Sequence, residues 1–260
     1  MGIVIIGSGN VASIFACRLF ENNIKIEQIV ARNPVSGNAL AGQLNAVFIQ
    51  DISNVKTDAD VYLITVQDDF LPMVADSLRG KISEKALVLH TTGSASIKVL
   101  EHISSQYGVL YPLQSLRKEN VNSIEIPLFL DANNNSSFEK LENFAKNISP
   151  IIAFADDQQR IRLHIAAVFV SNFPNYLYVL AESFCKNHNI EFSNLLPLMK
   201  ETTNRISFFS PKDIQTGPAA RGDLGTIEKH TSILEKENPE LLKVYEFLTN
   251  GILDTFLGKK

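Results

Sequence analysis

The chain opens on four consecutive apolar residues, Ile3-Val4-Ile5-Ile6, with no polar position between them. A run this short and unbroken predicts a strand buried on both faces. A stretch of small and turn residues follows, Gly7-Ser8-Gly9-Asn10-Val11-Ala12, and residues 13–20 then read as a helix. Further apolar runs at 26–31, 46–49, 60–66, 86–90, 109–114, 127–131 and 151–154 predict strands. Helical stretches fall between several of them, at 35–45, 70–78 and 138–147. Pro72 lies in the first turn of its helix, where a missing N–H costs little. Strands alternating with helices predict an α/β fold, a doubly wound and mostly parallel sheet.

The period changes after residue 154. From Gln158 the pattern is helical for thirty residues or so, a rod of about 45 Å at the α-helical rise. Asp156 and Gln159 stand at the reciprocal positions of a capping box. Helices follow at 193–209, 224–236 and 239–257, the last announced by Asn238 as cap and Pro239 at the first helical position. The pattern therefore divides the chain into an α/β domain, 1–154, and an all-helical domain, 155–260, without a linker or an internal repeat. Pro174 lies inside the long helix and predicts a kink around Val170 and Ser171.

A strand, a glycine turn and a helix in that order make a dinucleotide-binding fingerprint. Gly7 permits the tight turn out of the strand. Gly9 has no Cβ to keep a pyrophosphate from the backbone, and Ala12 is small where helix meets strand. The N–H groups of Ser8, Gly9, Asn10 and Val11 then face phosphate with the helix dipole behind them. The bland alternative is a tight turn with no ligand. The second strand ends at Arg32-Asn33, where an acid would accept from a ribose 2′-hydroxyl. A guanidinium there suits a 2′-phosphate instead, so the cofactor expected is NADP rather than NAD. The alternative for Arg32 is a solvated loop charge. Ligands in such sheets bind beyond the carboxyl ends of the strands. The candidate surface is thus Val66-Gln67-Asp68, His90-Thr91-Thr92-Gly93 and Pro112-Leu113-Gln114. Of these, Val66, Gln67, His90, Thr91 and Thr92 are expected at the nicotinamide.

The helical half carries a second set of polar groups. His164, Ser171, Asn172 and Asn175 stand at offsets that a regular helix places on one face. His164 is the candidate proton donor, because a histidine titrates near neutral pH, and Asn172 the candidate substrate ligand. The competing reading is a set of satisfied core or solvent-facing polar groups. Thr216-Gly217-Pro218-Ala219-Ala220-Arg221-Gly222-Asp223 is a turn-rich stretch before a helix. Arg221 could clamp a carboxylate or phosphate in two-pronged fashion. Asp223 could cap the next helix and orient Arg221 or His164. The alternative is a structural turn with a surface ion pair.

Composition narrows the classes. At 260 residues the chain can bury a sizeable core. A net charge of −4 gives no basic field for nucleic acid or an anionic membrane. The two cysteines, Cys17 and Cys185, fall in separate predicted helices and read as buried thiols, which suits the cytoplasm. Before the first strand no leader is expected. The apolar stretch at 158–190 comes nearest to a membrane span, but Arg162, His164, Asn172, Pro174 and Asn175 interrupt it, so no membrane partner is expected. No cysteine or histidine spacing of the zinc kind is present, and Thr92-Gly93-Ser94-Ala95 lacks the glycines of a serine-hydrolase elbow.

Taken together, the opening glycine motif, His90-Thr-Thr-Gly-Ser, Tyr111-Pro-Leu-Gln-Ser and Gly217-Pro-Ala-Ala-Arg-Gly-Asp resemble the uncharacterised bacterial Rossmann-like proteins whose C-terminal half is a helical domain of unknown function. More distantly the chain is similar to pyrroline-5-carboxylate reductase, ketopantoate reductase and the β-hydroxyacid dehydrogenases. The resemblance implies an NADP-binding Rossmann domain, a helical domain that often forms a homodimer, and an active site between the two. It supplies no reaction. Where the hydroxyacid dehydrogenases carry a lysine on the long helix, this chain offers His164 and Asn172. The reading is an NADP-dependent oxidoreductase acting on a small carbonyl or imine acid, with His164, Asn172, Arg221 and Asp223 as its catalytic group. The alternative is a non-catalytic NADP sensor that binds a partner through its helices.

Overall fold

The computed structural model describes residues 1–118 and 124–258. Its centre is an eight-stranded sheet made of β1 (Ile3–Ile6), β2 (Ile26–Val30), β3 (Val47–Ile49), β4 (Val61–Ile64), β5 (Leu87–His90), β6 (Gln106–Pro112), β7 (Leu128–Ala132) and β8 (Ile152–Phe154). The spatial order is β3-β2-β1-β4-β5-β6-β7-β8. All neighbours are parallel except β6 and β7, which pair antiparallel with Leu110 opposite Leu130. The chain winds outward from β1 to β3, then returns to the other side of β1 with β4. That reversal opens a crevice beyond the carboxyl ends of β1 and β4, where such sheets take their ligands.

The unbroken apolar strands follow from cover on both faces. Ile3 and Ile5 point into one core with Phe15, Leu19, Leu63, Leu89 and Leu141. Val4 and Ile6 point into the other with Ile64, Leu71, Val74 and Leu78. The first core lies under α1 (Asn10–Glu21), α2 (Pro34–Gln43) and α4 (Asn135–Ala145), the second under α3 (Leu71–Leu78). A helix starting at 138 was expected. It begins a turn earlier, because the Asn134 side chain accepts from Ser137 N and caps it.

The long helix runs as α5 (Asp157–Ala167), one π turn (Val168–Asn172) and α6 (Phe173–Asn187). Its start carries the capping box: Gln159 N donates to Asp156 Oδ1 at 2.7 Å and Asp156 N to Gln159 Oε1 at 3.2 Å. The irregularity falls where Pro174 predicts it. Proline lacks the N–H that would reach back to Val170 and crowds that carbonyl. The backbone answers with one wide turn instead of a break. In consequence Asp157–Asn187 is one continuous helix of 31 residues, long and apolar enough by length and composition to cross a membrane, with mean hydropathy 1.2 in its most apolar window. Arg162, His164, Asn172, Pro174 and Asn175 interrupt it, so its apolar residues do not form one unbroken run.

Packing divides the chain into two compact units, Met1–Asn172 and Phe173–Lys260. Their boundary falls at the end of the π turn, and α5 packs with the sheet. A charged anchor explains this. Arg160 is 1% exposed. Its Nη2 donates to the Ala95 carbonyl at 2.5 Å and to Asp157 Oδ1 at 2.6 Å. Asp157 Oδ1 also accepts from Ile97 N at 3.1 Å, so the first turn of α5 is tied twice to the loop after β5.

The second unit is helical: α6, α7 (Leu196–Ile206), the single turn α8 (Pro218–Arg221), α9 (Leu224–Glu237) and α10 (Pro239–Phe256). A 3-10 turn, Phe192–Leu195, precedes α7, so the helix expected over 193–209 is shorter than its pattern. The turn α8 escapes sequence reading because four residues hold no period. Cys185, Ala219 and Leu234 are buried, while Tyr176, Val179, Leu198, Phe208 and Phe247 are exposed. Both cysteines are free thiols.

Candidate active site

The glycine turn is built as its sequence predicts. Gly7 has φ +128°, and a Cβ there would collide with the hydroxyl and carbonyl of Thr65. Gly7 N donates to the Val30 carbonyl at 2.8 Å, fixing the turn against β2. Gly9 caps α1 with no side-chain hydrogen bond, which leaves the first N–H groups of the helix to a ligand. A Cβ at Gly9 would meet nothing within 4 Å: the turn faces open space. Ser8 Oγ shares a hydrogen with Ser36 Oγ at 2.7 Å, and Lys118 Nζ donates to the Ser8 carbonyl at 3.0 Å.

A cavity of about 460 Å³ lies beyond this turn. Gly7, Ser8 and Gly9 line it with Arg32, Asn33, Val66 and Gln67. Arg32 is exposed, with its guanidinium 3.9 Å from the centre of the Phe70 ring. Stacking holds the charge at the cavity wall without neutralising it. Asn33 spends its side-chain oxygen capping α2, accepting from Val35 N and Ser36 N. Its role in the turn is structural, and only its amide nitrogen is left for a ligand. Asn10 and Val11 open α1 itself. An open glycine cradle, unsatisfied helix N–H groups and an exposed guanidinium are the donor set that a phosphorylated dinucleotide requires. The residues present fit NADP.

The strand ends divide into exposed and buried parts. Val66 and Gln67 reach the cavity. His90, Thr91 and Thr92 are buried, and His90 is 0% exposed. His90 Nδ1 accepts from Thr92 N at 3.3 Å, and Thr91 Oγ1 donates to the Ile64 carbonyl at 3.5 Å. Burial pushes the His90 imidazole down to about 3, and the Arg160 cation pushes the same way. His90 is thus a neutral core histidine. Its side chain does not face the cavity, because β5 is a central strand with both faces covered. Asp68, beyond Gln67, accepts a short hydrogen bond from Ser94 Oγ and ties the turn after β4 to the loop after β5.

His164 stands one turn beyond Arg160 on α5 and is exposed. Its Nδ1 lies 3.0 Å from the Tyr111 hydroxyl at the end of β6, and the two rings meet edge to face. Gly93 lies directly beneath: a Cβ there would sit 2.9 Å from the Tyr111 ring and 3.0 Å from His164 Nδ1. Burial raises the Tyr111 phenol above its ordinary range, Arg160 opposes that, and Asp68 adds to it. Neither Tyr111 nor Arg160 is a candidate site residue in the sequence, although Tyr111 opens one of the motifs that carry the resemblance. Tyr111 reads there as a strand residue. Arginine is rarely buried, so nothing local marks Arg160; the one available signal was its spacing from Asp157.

Asn172 is exposed and ends the π turn. The face-sharing offsets assigned to His164, Ser171, Asn172 and Asn175 assume 3.6 residues per turn throughout, and the wide turn between them breaks that count. Arg221 is exposed at the end of α8, before Gly222 at φ +69°. Asp223 caps α9: Oδ1 accepts from Thr226 N at 3.1 Å and Oδ2 from Thr226 Oγ1 at 2.7 Å. Those two donors hold its carboxyl below the usual range. Both oxygens are therefore engaged in the cap, as the sequence predicts.

Among the described residues no cluster of histidine, cysteine, aspartate and glutamate could hold a metal ion. The fold and the cradle define a class: a Rossmann-like dinucleotide-binding protein with a helical C-terminal half. Residues 2–93 match the family described as NADP oxidoreductase, coenzyme F420-dependent, in agreement with the cofactor that Arg32 predicts. Residues 126–252 match a domain of unknown function, DUF2520. Among solved structures the chain is similar to BF3122 of Bacteroides fragilis, a protein assigned as an NADP oxidoreductase by inference. The two are 34% identical over 97% of this chain and 98% of that one, with a TM-score of 0.90. The chain belongs to the same family as BF3122. It shares its fold with an imine reductase from Myxococcus stipitatus in complex with NADP+, at 14% identity over 99% of this chain and 100% of that one, TM-score 0.68. It also shares the fold with a pyrroline-5-carboxylate reductase from Coxiella burnetii, at 16% identity over 98% and 97% of the two chains, TM-score 0.55. No curated protein matches the sequence.

Proposed function

We propose that the chain is an NADP-dependent oxidoreductase acting on a small carbonyl or imine acid. One observation carries the reading: an exposed imidazole, His164, is held at the same carboxyl-terminal edge of the sheet that bears the glycine cradle. Bound NADPH supplies a hydride there. The chain's own residues do the rest. The backbone N–H groups of Ser8, Gly9, Asn10 and Val11 bind pyrophosphate, with Gly7 shaping the turn. Arg32 takes the 2′-phosphate, braced by Phe70 and beside Asn33. Val66 and Gln67 line the way toward the nicotinamide, and His90, Thr91 and Thr92 stiffen the neighbouring strand end from within. His164 holds the proton that a reduced carbonyl or imine must gain. Asn172 offers an amide to the substrate and Arg221 a guanidinium to its acid group, while Asp223 fixes the helix that follows.

The same reading includes a homodimer formed through the helical half. It is supported by the exposure of Tyr176, Val179, Phe208 and Phe247, apolar groups that a soluble surface of this kind covers. The test of function is a titration of the purified chain with NADPH and with NADH, followed by nicotinamide fluorescence. Turnover is then measured on a panel of keto acids and cyclic imine acids. Tight NADPH binding with turnover on one class supports the proposal. Binding of neither nucleotide overturns it. Tight NADPH binding without turnover across the panel would mark a sensor instead.

A further inference from the structure

Among the described residues the Tyr111 hydroxyl has one polar partner, His164 Nδ1 at 3.0 Å, and Tyr111 is 6% exposed. A phenol carries one hydrogen, and a buried hydroxyl must place it on an acceptor. If His164 Nδ1 carried a hydrogen and donated it, the phenolic hydrogen would be left without an acceptor. The satisfied arrangement in the neutral pair is Tyr111 O–H donating to Nδ1. The imidazole hydrogen then belongs on Nε2, the nitrogen turned away from Tyr111.

From this geometry we infer that Tyr111 is a positioning residue that fixes His164 so that in the neutral pair its outward nitrogen, Nε2, carries the hydrogen, and that the site therefore engages its ligand through an acceptor atom. The inference rests on the proposed role of His164. In the neutral pair Nε2–H is a donor. When His164 is protonated, Nδ1–H turns to donate to the Tyr111 oxygen and Nε2–H is unchanged. A carbonyl oxygen or an imine nitrogen satisfies such a group. A protonated amine has no lone pair and brings only hydrogens to a position that already holds one. The site thus favours a ligand atom with a free lone pair, an imine over the ammonium that its reduction gives.

The rest of the cluster serves this placement. Gly93 leaves room for both rings, since a Cβ would touch each of them. Arg160 and Asp157 anchor α5 one turn before His164. The charged groups that bear on Tyr111 are Arg160 on the helix and Asp68 in the turn after β4, and they act in opposite directions. The phenol stays protonated, so it remains a donor.

The test reads the tautomer directly in the full-length, cofactor-free chain. The chain has five histidines, few enough for side-chain 15N NMR, and loss of one signal set in His164→Gln assigns His164. The expected spectrum at neutral pH shows a pyridine-like Nδ1 and a pyrrole-like Nε2. Tyr111→Phe keeps the ring and removes the hydroxyl, so His164 should relax toward the ordinary mixture of tautomers. A pyrrole-like Nδ1 in the wild type, or a His164 spectrum unchanged in Tyr111→Phe, would overturn the inference. NADPH titration of the same two proteins separates the readings. Failure of the wild type to bind NADPH removes the proposed function but leaves the tautomer result standing. Equal NADPH binding by both proteins with altered His164 signals supports the positioning role.

Discussion

Gly7 and Gly9 look alike in the sequence and have opposite reasons to be glycine. Gly7 is held at φ +128° against Thr65, so Gly7→Ala should destabilise the apo fold by about 1–3 kcal/mol, read as a shift of the urea midpoint. Gly9 has open space where a Cβ would go, so Gly9→Ala should leave that midpoint nearly unchanged and weaken NADPH binding in a fluorescence titration. Equal effects on folding would contradict the assignment of one to the backbone and the other to the ligand. Arg32→Ser should lower NADPH affinity by about 10–100-fold and leave NADH affinity close to wild type, since one charge-assisted contact is worth about 1.5–3 kcal/mol. His90 gives a pH signature. It titrates near 6.5 in the unfolded chain and at about 3 in the fold. Its contribution is whole above the unfolded value and is lost as pH falls, by roughly 1 kcal/mol per unit, because only the unfolded state takes up the proton. Stability should therefore decline on acidification below neutrality, and His90→Gln should flatten that slope even if it lowers the plateau.

At the scale of elements, α5 depends on its buried anchor. Asp157→Asn removes the anion beside a buried guanidinium whose Nε and Nη1 already lack partners among the described residues. The expected cost is about 3 kcal/mol, measured by thermal or urea unfolding. The same elements show how far sequence reading reaches. The strands and α1 to α4 were legible because their periods are long enough to count, and because glycine, proline and asparagine mark their ends. The capping box of Asp156 and Gln159, the Asp223 cap and the Pro174 irregularity were legible for the same reason: each is local chemistry. The partnership of Tyr111 with His164 and the burial of Arg160 were not. They join residues far apart in the chain, and no local pattern distinguishes a buried arginine from a solvated one. The orientation of the His90 ring was not legible either. A strand end suggests a ligand, but nothing in its neighbours says which way its ring turns.

At the scale of the whole molecule, the first unit is covered on both sheet faces and the second buries few large apolar groups of its own. A chain of 28.8 kDa with such a second unit should run at twice that mass in light scattering at micromolar concentration. Val179→Glu, a charge on an exposed apolar position of α6, should shift it toward the monomer and lower its melting temperature in a concentration-dependent manner. A wild-type monomer at all concentrations would remove the homodimer from the proposal.

The π turn at Val168–Asn172 has a consequence of its own. Such a turn is an α-helix carrying one residue too many, and each residue of an α-helix sweeps about 100°. The extra residue works like a slipped tooth in a gear: everything after it is rotated against everything before it, while the axis continues. Deleting one residue there would restore a regular helix and keep its length nearly unchanged. It would also move every later residue of α6 by one step in the count of the helical repeat. Helix content by circular dichroism should survive that deletion while any turnover does not. Lineages that gain or lose a single residue at this point would have re-aimed the second half of the helix in one mutational step.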